Sequence, residues 1–116
     1  MEQQTKPPKY GNTKTVVNDI KFDSRAEAQR YSHLMILQRA GHISNLRCQV
    51  SFELVSGVKF AGAARAKPSI RYVADFVYTE NGKEVIEDVK GVETQEFKIK
   101  RHLMLALLGK EVRVLK

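Results

Sequence analysis

Four residues of this chain have types and spacing that can do chemistry together: Glu27, Asp75, Asp88 and Lys90. Two runs rich in Val, Ile, Tyr and Phe flank Asn81-Gly82, and Asn-Gly supplies the positive φ angles that a two-residue hairpin turn demands. With that turn, antiparallel partners have numbers summing to 163, so Glu80 faces Lys83 and, further along the ladder, Asp75 faces Asp88. Directly opposed residues share a face with β carbons about 4.5–5.5 Å apart, and like charges placed so repel unless something offsets them. Lys90 projects from that same face, as do Val73, Val77 and Ile86, which makes the surroundings apolar. Such a pair of acids can share a proton, lean on the lysine, or hold a divalent cation; it can also be a solvated edge hairpin with no chemistry. The cation is the preferred reading, because magnesium takes a few carboxylate oxygens and keeps waters and substrate phosphate for the rest of its shell. Lys90 would then lower the pKa of an attacking water or stabilise charge developing on a phosphate.

Glu27 has two readings. Ser24-Arg25-Ala26-Glu27 is a capping box, in which the glutamate returns a hydrogen bond to the cap. The same residue stands one turn before Tyr31 at the edge of an apolar stripe, which leans it toward the sheet. Gln49 either orients Lys90 or a metal-bound water, or simply faces solvent. Glu87 is acidic and adjacent to Asp88, but alternation puts Asp88, not Glu87, on the face of Lys90. His33, His42 and His102 have no ligand-type spacing, and Cys48 falls on an apolar strand face, as a core residue does.

The elements that must position these groups follow from periodicity. Residues 1–13 are polar, carry Pro7-Pro8 and predict a flexible basic arm. From Ser24 to Gly41, Ala28, Tyr31, Leu34 and Met35 recur at helical spacing. Residues 46–54 alternate as a half-buried strand, with Leu46, Cys48, Val50, Phe52 and Leu54 on one face. A basic loop over 56–69 contains Lys59, Arg65 and Lys67 and no acid. Strands over 70–79 and 84–90 form the hairpin. A second helix over 94–108 buries Phe97, Leu103, Met104, Leu107 and Leu108, and a last strand covers 111–115. The fold class is α/β (α+β), in the order helix, three strands, helix, strand, as a single domain over 14–116.

Composition narrows the partners. At 116 residues there is room for one core. Twenty Lys and Arg against 13 Asp and Glu give a net charge of +7, which on so small a surface favours a polyanion, with nucleic acid the first candidate. The lone Cys48 excludes an internal disulfide and a multi-cysteine zinc site, which points to a reducing, intracellular setting. No apolar run of signal or membrane-spanning type is present, so no membrane partner is expected.

With these residues in place, the chain resembles the PD-(D/E)XK nuclease superfamily, and within it the small phage-encoded endonucleases of the TnsA and Holliday-junction-resolving type. The matching stretches are Tyr72-Val73-Ala74-Asp75-Phe76 and Ile86-Glu87-Asp88-Val89-Lys90, with Glu27 in the place of the acid on the first helix. Ala74 stands where the motif's name has proline, a position that supplies no catalytic atom. The resemblance implies a restriction-endonuclease-like αβββαβ core and magnesium-dependent hydrolysis of DNA phosphodiester bonds, with manganese substituting. Glu27, Asp75, Asp88 and the Val89 carbonyl would hold metal, and Lys90 and Gln49 would assist. It also implies a structure-specific DNA substrate, a homodimer, and the cytoplasm of a bacterial host carrying phage or prophage. Lys59, Arg65, Lys67, Lys98, Lys100 and Arg101 would cradle the DNA backbone, each being otherwise an ordinary solvated cation. The alternative is a catalytically inactive nucleic-acid-binding module of the same fold.

Overall fold

The computed structural model describes residues 14–116, and the expected arm over 1–13 lies outside them. It is an α+β fold with the order ββαβββαβ: β1 (Thr15–Val17), β2 (Ile20–Phe22), α1 (Arg25–Arg39), β3 (Ser44–Val55), β4 (Ile70–Glu80), β5 (Lys83–Val89), α2 (Gln95–Leu108) and β6 (Val112–Leu115). Strands β3-β4-β5-β6 form one mixed sheet, antiparallel except for the parallel β5–β6 pair. The β1–β2 hairpin is additional to the expected order. Its turn is Asn18-Asp19, at φ 50° and 65°, the positive pair that a tight hairpin needs and that Asn and Asp tolerate. Strands of three residues carry too little alternation to announce themselves.

Two apolar clusters hold the helices. One gathers Ala28, Tyr31 and Leu34 of α1 with Phe22, Ile43, Phe76 and Tyr78. The other gathers Phe97 and Met104 of α2 with Leu54, Tyr72, Ala74, Val77, Ile86 and Val112. The aromatic rings of Phe22, Tyr31 and Phe76 pack within about 6.4 Å of one another, centroid to centroid. Leu107 and Leu108, expected to be buried, are 50% and 37% exposed. The α2 contact with the sheet is carried by one narrow stripe, so the last turn extends past the surface it covers.

The clusters also show where β4 departs from simple alternation. Tyr72 and Ala74 pack on the α2 side, whereas Phe76 and Tyr78, of the same parity, pack on the α1 side. On β3 the same change separates Val50 from Cys48. Between them lies Gln49, at φ 53°. Gln49 and Asp75 fall at matching positions between the pairs Cys48↔Phe76 and Val50↔Ala74. The face switch corrects one expectation: Val73 is 49% exposed and does not share the buried face of Val77 and Ile86.

Candidate active site

The β4–β5 register is the one the Asn81-Gly82 turn dictates, running from Glu80↔Lys83 to Phe76↔Glu87. Asn81 and Gly82 both take positive φ, 52° and 77°. The ladder ends one step short of Asp75 and Asp88. There Asp75 turns across the strand and its Oδ2 accepts the Val89 N–H at 2.8 Å. Asp88 is fully buried and its Oδ2 accepts the Tyr72 hydroxyl proton. Its Oδ1 has no hydrogen-bond partner among the described residues, although Lys90 Nζ stands 3.4 Å away. That contact has the distance of an ion pair without the direction of a hydrogen bond. Lys90 is held over the Phe97 ring, 4.8 Å from its centroid.

Glu27 arrives from α1. Ser24 caps the helix, with Oγ accepting the Glu27 N–H at 3.1 Å. The Glu27 side chain does not serve the cap: it is 5% exposed and accepts from Gln49 Nε2 at 3.1 Å. Of its two readings, the geometry takes the one that leans toward the sheet. Gln49 is thereby tied to the acids, and its positive φ aims it there.

The electrostatics are those of crowded acids. Burial, followed by the adjoining Asp88 carboxylate, pushes Asp75 from 3.8 up to about 8, with the Val89 N–H pulling the other way. Burial also raises Glu27, helped by the charges of Asp23 and Asp88 and opposed by Lys90. A cleft of about 330 Å³ opens onto this group, lined by Ser24, Glu27, Asp75, Val89, Lys90 and Thr94 among others. Ser24 and Thr94 are the N-caps of α1 and α2. Two helix N-termini, the positive ends of their dipoles, therefore meet at the rim.

The donor set is all oxygen and includes one buried carboxylate atom that accepts no hydrogen bond among the described residues, which fits a hard divalent cation. The fit is chemical rather than preformed: no group of three or more His, Cys, Asp or Glu among the described residues stands ready to hold a metal ion. As packed, the acids are held by hydrogen bonds from Gln49, the Val89 N–H and the Tyr72 hydroxyl.

Glu87 points to the opposite side of the sheet. It is fully buried, gripped by Arg30 through two bonds of 2.9 and 2.6 Å, and joined by the Tyr78 hydroxyl and by Arg113 at 3.6 Å. This network braces α1 against β5, three residues from Glu27 and one from Asp88. The outlying cations lie elsewhere. Lys59, Arg65 and Lys67 are exposed on the β3–β4 loop. Lys98 and Arg101 line a separate surface groove of about 390 Å³ with Glu93 and Glu111. Lys100 is paired with Glu96 at 2.9 Å. None of the six lines the acidic cleft.

Sequence reasoning missed Tyr72, Thr94 and the Arg30–Glu87 pair. Regular alternation sets Tyr72 and Asp75 on opposite faces, so only the switch at Asp75 brings the tyrosine to Asp88. A buried acid flanked by arginines distant in sequence leaves no local signal.

The fold and site define a class: a small α+β protein with a buried acid cluster and a lysine at the mouth of a cleft. The chain belongs to the DUF1064 family of proteins of unknown function, whose model matches residues 7–114. No curated protein and no solved structure matches it. Among the described residues, no helix is long and apolar enough to cross a membrane.

Proposed function

We propose that this chain is a divalent-cation-dependent endonuclease of PD-(D/E)XK type that hydrolyses DNA phosphodiester bonds. The observation that carries the reading is that Glu27, Asp75 and Lys90 line one cleft, with the buried Asp88 directly behind them against Asp75 and Lys90. When bound there, magnesium or manganese would supply Lewis-acid stabilisation of the phosphate and an acidified water. Asp75 and Asp88, with Glu27 and the Val89 carbonyl, are the groups that would hold the cation. Lys90 places a positive charge beside Asp88 and in the cleft lining, where charge develops on the phosphate. Gln49 fixes the Glu27 carboxylate. The α1 and α2 N-termini favour an anion at the rim, which suits a phosphodiester. The exposed cations of the 56–69 loop and of α2 favour the polyanion as a whole. A homodimer acting in a bacterial cytoplasm belongs to the same proposal.

The second reading, a nucleic-acid-binding module without chemistry, draws on the lack of a preformed group of metal-holding side chains among the described residues. Incubating purified protein with supercoiled, linear and branched DNA separates the two. The nuclease reading expects cutting in magnesium and none in chelator. DNA binding that is indifferent to metal, with no cutting of any substrate, would overturn it.

A further inference from the structure

The β3–β4 loop is not an open excursion. Val58 and Lys67 bridge its stem in both directions, Val58 N–H to the Lys67 carbonyl at 3.1 Å and Lys67 N–H to the Val58 carbonyl at 2.6 Å. A Cβ built on Gly57 would stand 2.4 Å from the Lys67 oxygen, so the strands of the stem approach as only glycine allows. Beyond the bridge a turn closes with the Ala63 N–H on the Phe60 carbonyl at 3.0 Å. This closed arm presents Phe60 at 62% exposure and Val58 at 52%. Lys59, Arg65 and Lys67 stand on the same loop, all exposed, with no acid between residues 56 and 69.

A solitary exposed apolar residue needs no explanation. An aromatic ring on a braced arm, set among unopposed cations, is a different object. Cations that take phosphates and a ring that takes a base face are the two parts of a site for unpaired nucleotides. A second copy of this chain is a poorer occupant, since its own arm carries the same unopposed charge. We infer that Phe60 stacks on an unpaired base of the DNA whose backbone is held by Lys59, Arg65 and Lys67. This rests on the reading of the chain as a DNA enzyme and gives it a substrate class: DNA with a bulge, flap or junction.

Binding measured in chelator tests the arm without cleavage. Short duplexes carry 2-aminopurine either in a single unpaired position or fully paired, and are titrated with the parent, with Phe60→Trp, with Phe60→Ala and with the triple Lys59, Arg65, Lys67→Ala variant. The parent and Phe60→Trp are expected to change the fluorescence of the unpaired probe and to prefer that duplex about tenfold. Phe60→Ala loses both effects while its salt dependence stays. The triple variant lowers the slope of log affinity against log salt by about 3. A Phe60→Ala variant that matches the parent on both duplexes overturns the inference. So does a Phe60→Ala variant whose only change is from dimer to monomer in light scattering. Phe60-dependent binding by a protein that never cuts DNA sinks the nuclease reading alone, and cutting with Phe60-indifferent binding sinks this inference alone.

Discussion

Replacing Asp75 with Asn should make this protein more stable and, if it is a nuclease, inactive. Asn keeps the shape, its carbonyl oxygen can accept the Val89 N–H that Asp75 accepts at 2.8 Å, and its amide can donate to Asp88. It removes the charge that the site opposes. Burial and Asp88 move Asp75 from 3.8 to about 8, and roughly four units at about 1.36 kcal/mol each set a ceiling of about 5 kcal/mol. Asp75 is half-buried, so water screens part of that, and about 1–3 kcal/mol is the working figure. The sign follows from proton counting. Between pH 4 and 8 the folded chain holds a proton on Asp75 that the unfolded chain has released, so parent stability falls as pH rises through that window and levels off above it. The variant lacks this slope. Urea denaturation of both proteins at pH 4.5, 6, 7.5 and 9 reads it. The two curves should nearly coincide at the acid end and separate progressively to the alkaline end, with Asp75→Asn the more stable. A variant less stable than the parent at pH 8, or a difference that does not change with pH, would refute the account of the buried acid pair.

Other outcomes follow from the same geometry. Tyr72→Phe removes the hydroxyl donor to Asp88 and should cost about 1–3 kcal/mol in urea denaturation at neutral pH. Arg30→Ala leaves Glu87 buried with its doubly bonded partner gone, a loss of about 3–5 kcal/mol in the same assay. Manganese affinity, measured by isothermal titration, should rise with pH up to about 8 as Asp75 gives up its proton. Repeating that titration in buffers of different ionisation heat should show protons released on binding. A pH-independent affinity would mean that Asp75 is not among the metal's ligands.

The hairpin chemistry was legible because it is local. Asn81-Gly82 fixes a turn, the turn fixes the register as far as Phe76↔Glu87, and one step beyond it Asp75 meets Asp88 while Glu87 faces the other side. The long strands and both helices announced themselves through spacing, as Ala28, Tyr31 and Leu34 do on α1. What stayed hidden depends on breaks in that regularity or on distant partners. The face switch at Gln49 and Asp75 exposes Val73 and brings in Tyr72, and nothing in the alternating pattern of β3 warns of Gln49 at φ 53°. Glu27 satisfied a capping pattern, the reading its sequence alone favours, as well as a core-facing one, and its burial and its bond to Gln49 decide for the second. The small β1–β2 hairpin had a turn signal in Asn18-Asp19 but strands too short to support it.

The most direct test of the nuclease proposal is plasmid cleavage by the parent and by Asp88→Asn in magnesium, with DNA binding in chelator measured alongside. The parent should nick or linearise supercoiled DNA, and Asp88→Asn should bind DNA as well as the parent and cut none. An Asp88→Asn protein that cuts as fast as the parent would contradict the assignment of the buried acids as the catalytic site.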